Sequence, residues 1–250
     1  MIGDRIKSIA KAVLPGDIHR WLWYRVNRVI HRPRLWQLKP VSSVWGYDRG
    51  LPIDRYYIEQ FLSVHAEDIH QHVLEFTDDS YTKKFGGARV TKSDVMNVIE
   101  GMPKTTIVAD LTCADQIPSD HFDCIICTQT LQMIYDVRLA LKHLHRVLKP
   151  QGVLLVTWTG ITKICRRENI DPWGEYWHAT SQAVRRLFQE FFPDSFTINT
   201  YGNVLSAITF LHGLSKEELR QEELDYFDRD FEVLVTVRAV KPNSTVSRIN

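Results

Sequence analysis

No apolar run in this 250-residue chain approaches the roughly 20 residues needed to span a bilayer, so any membrane contact is expected to be peripheral. Cysteine is scarce. Cys113, Cys124, Cys127 and Cys165 lack the even spacing of a secreted disulfide framework, and no signal peptide with a small-residue cleavage site precedes them. A reducing cytoplasm is the expected compartment. A charge excess is missing too: the formal net charge of +1 argues against a dedicated nucleic-acid binder, which needs a concentrated surplus of Lys and Arg. With 12 Gly and 10 Pro the chain is neither collagen-like nor low in complexity, and 44% hydrophobic with 24% charged residues describes an ordinary globular protein. Its length suits one sizeable α/β core with an extension.

The even charge hides an asymmetry. Residues 1–40 hold nine Lys/Arg against Asp4 and Asp17, a surplus of seven, which leaves residues 41–250 at minus six. Ile2, Ile6, Ile9, Val13 and Leu14 recur at helical spacing among Arg5, Lys7 and Lys11, until Pro15-Gly16 stops the pattern. A second basic amphipathic helix is predicted around Ile18, Trp21, Leu22, Val26, Val29 and Ile30, ending near Pro33. Two uses fit such helices: a lid on the main domain, or attachment to an anionic membrane or acidic partner. Pro33, Pro40, Gly46, Gly50 and Pro52 mark an irregular connector, and Tyr56, Tyr57, Phe61 and Leu62 a helix leading into the core. We therefore divide the chain into a helical extension and connector at 1–68, a main domain at 69–242 and a tail at 243–250.

Beyond residue 69 short apolar runs alternate with helical stripes, the pattern of a parallel sheet covered on both faces. Strands are predicted near 72–76, 89–94, 105–110, 122–127, 152–158, 196–201 and 232–240. A helix stripe through Leu141, Leu144, Val147 and Leu148 ends at Lys149-Pro150, Thr180 or Ser181 caps another helix, and Ser215 with Glu218 has the form of a capping box.

Open α/β sheets bind ligands beyond the carboxyl ends of their strands, so the residues there are the ones to read. Glu75 ends the first predicted strand. Asp94 ends the second, 19 residues on, where a carboxylate can accept both hydroxyls of an adenosine ribose or simply cap the next turn. Asp110 ends the third and can accept from an adenine amino group while Leu111 covers the ring. Thr128, Gln129, Thr130 and Leu131 follow the fourth. Cys124 and Cys127 form a CxxC, but within a strand and with no second metal pair, so core packing is expected there and no metal site.

The run FDCIICTQTLQMIYDVRLALKHLHRVLKPQG from Phe122, followed by VLLVTW, resembles the fourth strand, helix and fifth strand of class I S-adenosylmethionine (SAM) dependent methyltransferases. Within these, the segments at 40–62, 81–87, 171–180 and 201–214 resemble bacterial methyltransferase-domain proteins associated with glycosyltransferases. The resemblance covers roughly residues 40 to 242. It implies a Rossmann-like α/β fold with a mostly parallel seven-stranded sheet, helices on both faces, SAM as cofactor, and Glu75, Asp94 and Asp110 in the acid positions of the family's motifs. Gln129, among the polar groups that follow the fourth strand at the mouth of the sheet, can line the methionine end of that cofactor. The chain departs from the family at Thr77 and Asp79, where glycines normally let the cofactor approach the backbone, and in a segment too short for a full first helix.

Methyl transfer to a hydroxyl needs a base near the acceptor oxygen. His178, in the cluster with Asp171, Trp173, Glu175, Tyr176 and Trp177, is one candidate and His212 another. The expected activity is SAM-dependent methylation, at oxygen, of a small-molecule or glycan-type acceptor. The alternative is a degenerate, methyltransferase-like partner protein in glycan assembly, kept open by Thr77. A nicotinamide enzyme is disfavoured because no GxGxxG follows the first strand.

Overall fold

A computed structural model describes residues 37–166 and 174–243. Both predicted N-terminal helices, Asp171, Trp173 and nearly all of the predicted tail lie outside the described residues. Seven strands form one sheet: β1 (Gln71–Phe76), β2 (Val90–Asn97), β3 (Ile107–Val108), β4 (Phe122–Thr128), β5 (Leu148–Thr159), β6 (Phe196–Tyr201) and β7 (Leu234–Val240). Their spatial order is β3-β2-β1-β4-β5-β7-β6. Strands β1 to β5 run parallel, and β7 enters antiparallel between β5 and β6. The order reverses between β1 and β4, which places the ligand crevice at the ends of those two strands. This is the Rossmann-like methyltransferase fold that the sequence resemblance implies.

Among the described residues five α-helices accompany the sheet: α1 (Ile53–Val64), α2 (Val137–Val147), α3 (Ser181–Phe191), α4 (Val204–Leu211) and the short α5 (Gln221–Asp225). Helix starts are set locally. Asp136 caps α2 by accepting from the Leu139 amide, Thr180 caps α3 by accepting from the Ala183 amide, and Asn203 and Ser206 form a reciprocal capping box on α4. Glu218 reaches back to the Ser215 amide as the sequence predicts, but the turn it closes is 3₁₀ and not α.

Apolar stripes then sort the helices onto two faces. Helices α2 and α3 bury Leu141, Leu144, Val184 and Phe188 against Phe122, Ile125, Leu154 and Val156, while α1 and α4 bury Tyr57, Phe61, Leu62 and Phe210 against Val73, Cys124, Ile126 and Leu155. The two alternating sets on β4 and β5 thus feed separate cores, as a sheet covered on both sides requires. Residues 41–65 are tied into this body: Arg49 makes a two-pronged ion pair with Glu218, and the Tyr57 hydroxyl donates to the Leu224 carbonyl. Gly213, at φ +70, lets the chain at Ser42 cross so closely that a Cβ would stand 2.4 Å from the Ser42 carbonyl oxygen.

Cover is thin over β1 to β3. Between β1 and β2 a π-turn (Thr82–Gly86) and a 3₁₀ turn (Gly87–Arg89) replace the first helix, and no α-helix connects β2 to β3 or β3 to β4. Among the described residues no helix is long and apolar enough to cross a membrane.

Candidate cofactor and acceptor site

Two turns build the crevice. Thr77 follows β1 and Gln129 follows β4, and both adopt left-handed backbone, at φ +74 and +50. The Thr77 amide donates to the Met96 carbonyl and the Gln129 amide to the Thr157 carbonyl. Thr77 therefore keeps the backbone of the glycine it replaces. For a β-branched residue that conformation costs about 1–2 kcal/mol, and Thr77 lines the crevice. Asp79, in place of the second glycine, is drawn aside by Lys104 and Lys83, which hold its carboxyl below the ordinary range.

Two cavities meet at these turns, sharing Phe76, Thr77, Gln129, Met133 and Cys165. One, of about 580 Å³, is lined by Met96, Asn97, Ala109, Asp110, Leu111 and Ile134. Its floor is apolar. Leu111 is buried as a ring-covering residue should be, and Asp110 accepts from the Thr112 amide and hydroxyl at 2.8 Å, which fixes its carboxylate at the cavity edge.

The other cavity, of about 620 Å³, is charged: Asp54, Arg55, Glu75, Tyr81, Lys163 and Glu175 line it, with Trp45 and Tyr47 at its mouth. Glu75 is 2% exposed and accepts from the Tyr81 and Thr82 amides at 3.1 and 2.7 Å. Burial pushes its carboxyl up to about 7, against the pull of those amides. Burial likewise raises Asp54, and it opposes the charge of Arg55, which Asp54, Tyr81 and Tyr47 nevertheless hold above its usual value. Lys163 lies 3.6 Å above the Trp45 ring, its pKa lowered by burial.

At the junction the Gln132 amide nitrogen donates to the Gln129 side-chain oxygen at 2.6 Å. That leaves Gln129 Nε2 and Gln132 Oε1 buried with no hydrogen-bond partner among the described residues. A buried donor and acceptor side by side await a ligand carrying both complements. An amino-acid terminus, with its carboxylate and ammonium, is such a ligand, so these residues fit the methionine end of SAM.

The structure places the predicted site residues unevenly. Glu75, Thr77, Asp110, Leu111 and Gln129 come together around the cavities. Asp94 does not. Val95 and Met96 carry β2 three residues further, and Asn97 stands beside the end of β1, its Nδ2 2.7 Å from Thr105 Oγ1 and 3.4 Å from the Thr77 carbonyl. Asp94 turns instead to His72, Thr106 and Lys92. His178 is exposed and outside both cavities, but its Nε2 lies 3.3 Å from Oε1 of Glu175, whose side chain is nearly fully buried and lines the charged cavity. His212 ends α4, where its carbonyl accepts from the Val41 and Ser42 amides, away from either cavity. Asp54, Arg55 and Gln132 also line the charged cavity, and no sequence signal points to them, since the helical pattern of α1 and the turn after β4 carry no motif. Cys124 and Cys127 are fully buried in β4 with thiols pushed up, Cys127 to about 12, which suits core packing.

Residues 55–156 match the methyltransferase domain family. No curated protein matches the chain. Among solved structures it is similar to phosphoethanolamine N-methyltransferase 2 of Haemonchus contortus in complex with SAM, at 17% identity and TM-score 0.50, over 74% of this chain and 52% of that one. The same enzyme with phosphomonomethylethanolamine and S-adenosylhomocysteine gives 14% identity and the same coverage and TM-score. This chain thus spans about half the length of those enzymes. It is also similar to a chain from a complex between the Haloferax volcanii Trm112 methyltransferase activator and a methyltransferase, at 12% identity and TM-score 0.50, over 82% of this chain and 100% of that one. At such identities the structures establish the fold. The domain match and the fold together support a SAM-dependent methyltransferase with SAM as its cofactor.

Proposed function

We propose that this protein transfers the methyl group of SAM to a hydroxyl of a small, hydroxyl-rich acceptor of glycan type. The observation that carries the reading is the meeting of an apolar, nucleoside-sized cavity with a charged one at the ends of β1 and β4. SAM, when bound, supplies an electrophilic methyl on its sulfonium. Leu111 and Asp110 would hold the adenine, Asn97 the ribose, and Gln129 with Gln132 the amino-acid end. The charged cavity would hold the acceptor, with Trp45 and Tyr47 offering ring faces to a sugar and Arg55 and Glu175 pairing with its hydroxyls. Glu175 would take the hydroxyl proton, and His178, its Nε2 3.3 Å from Glu175 Oε1, would pass that proton to solvent. The aromatic and ionic lining, together with the sequence resemblance to glycosyltransferase-associated proteins, supports the acceptor class.

Residues 1–40 supply a second part of the proposal: their basic amphipathic pattern suits peripheral contact with an anionic membrane, where lipid-linked acceptors reside. Sedimentation with anionic vesicles tests it, and loss of co-sedimentation on deleting 1–36 is the expected result.

One observation favours a different reading. Thr77 puts a side chain where the cofactor meets the backbone, as in a protein kept for partner binding after loss of turnover. Calorimetric titration with SAM and S-adenosylhomocysteine separates the two. Micromolar binding that Gln129→Ala weakens by about 1–3 kcal/mol is expected of the enzyme. Absence of binding to either ligand leaves the partner protein.

A further inference from the structure

Away from the crevice, near the amino ends of β1 and β4, His72, Asp94 and His121 offer ligand atoms that all lie within 4.8 Å of one another. They come from three separate places: the second residue of β1, the middle of β2 and the residue before β4. We propose that these three side chains form a binding site for a divalent transition-metal ion of the zinc class.

The donor set is two imidazoles and one carboxylate, which suits Zn²⁺ with a water in the fourth position. The ligands are already held from behind. Thr106 Oγ1 donates to Asp94 Oδ1 at 2.7 Å, which leaves Oδ2 turned toward His72 at 2.6 Å. The His72 and His121 rings pack edge to face at 4.8 Å, and both lean on Phe122. The His72 backbone is pinned by its amide donating to Asp123, which also pairs with Lys149. An outer layer that orients each ligand is characteristic of metal sites. One cation competes: Lys92 lies 3.2 Å from Asp94 Oδ2. Its side chain is 58% exposed on a flexible stem, so it can swing to solvent as an ion enters.

The location gives the ion a task. Asp94 lies two residues from Met96, which lines the nucleoside cavity, on the part of the sheet whose connecting helices are missing. An ion there would clamp β1, β2 and the segment leading into β4 where no helix does so.

The test uses the full chain stripped of metal and titrated with ZnCl₂, with Co²⁺ as a spectroscopic probe. One equivalent is expected to bind, raise the melting temperature and give the visible bands of a tetrahedral nitrogen and oxygen site. His121→Ala is expected to weaken binding at least tenfold and remove the thermal shift. Thr106→Val, which touches no ligand atom of the ion, is expected to weaken it about 10–100-fold, and Lys92→Ala to tighten it. Should the variants fail to fold, the wild-type protein still decides: zinc must shift the ring-nitrogen resonances of two histidines. Unmoved histidine resonances, no binding, or full binding in the His72→Ala/His121→Ala double variant would overturn the proposal.

Discussion

The two halves of the sheet are built differently. From β4 to β6 each parallel crossover carries a capped α-helix, and the core there is continuous through Phe122, Leu144, Trp158, Val184 and Phe188. From β1 to β4 the crossovers are turns and loops, and their places are fixed by polar ties: Asp79 to Lys83 and Lys104, Asp94 to His72 and Thr106, Arg146 to the Ala114 and Ile117 carbonyls. Apolar burial holds the first half, and it is non-directional and summed over many contacts. In the second, Leu74, Met96, Ala109, Leu111, Ala114 and Ile117 join the same core, but the crossovers carry no α-helix and are tied by hydrogen bonds and ion pairs, so their geometry depends on single residues. The nucleoside cavity lies in the half that single changes can reshape.

That contrast can be broken most forcefully in the helical half. Phe188→Ala, at a side chain with no solvent exposure, is expected to lower unfolding stability by about 3–5 kcal/mol in urea denaturation while leaving the affinity of the remaining folded protein for SAM near wild type.

The next effect belongs to Glu75. Its folded-state pKa of about 7 lies above the ordinary value of 4.5, so the folded state keeps a proton that the unfolded chain releases between those pH values. Stability therefore falls as pH rises through that window, and the penalty is fully present above pH 7. At about 1.4 kcal/mol per pKa unit it amounts to about 3 kcal/mol. Glu75→Gln is expected to flatten the dependence of melting temperature on pH between 4.5 and 7, and an unchanged slope would remove Glu75 as its source.

Smaller changes sharpen the picture of the loop-built half. Asn97→Ala is expected to weaken SAM by roughly 1 kcal/mol in calorimetry, as one neutral hydrogen bond does. Asp94→Asn should leave that affinity unchanged in metal-free protein, because its carboxylate faces away from the cavity. Smallest of all, Thr77→Gly relieves left-handed strain of about 1–2 kcal/mol but loosens the unfolded chain by about 0.4–1, so a net gain of roughly 0.5–1 kcal/mol in stability is expected, with tighter SAM binding. Weaker binding in that variant would show that the threonine side chain contributes to the site.

Much of the strand pattern was legible. β1, β4 and β6 lie within a residue of where the sequence places them: β1 and β4 carry buried apolar runs bounded by polar residues, and β6, at the sheet edge, alternates in exposure. The errors fall where tertiary contacts extend or shorten an element. β2 continues to Asn97 because Val95 and Met96 pair with Glu75 and Phe76, and β3 shrinks to two residues because only Met96 and Asn97 pair with it. The three-residue extension of β2 puts Asn97, and not Asp94, at the strand's carboxyl end and on the cavity wall. A base role for a histidine follows from chemistry alone, and neither His178 nor His212 lines either cavity.

The sequence by itself determined the alternation of strand and helix, the capping of α2, α3 and α4 and the apolar faces, because each follows from interactions between residues close in the chain. Only the tertiary structure decided that Thr77 takes a glycine's backbone, that Gln129 and Gln132 leave a buried donor and acceptor at the junction, and that Asp94 meets two histidines. Those outcomes depend on contacts between segments tens of residues apart, and burial, which sets the protonation of Glu75 and the orphaned amides, is a property of the packed molecule and not of the local chain.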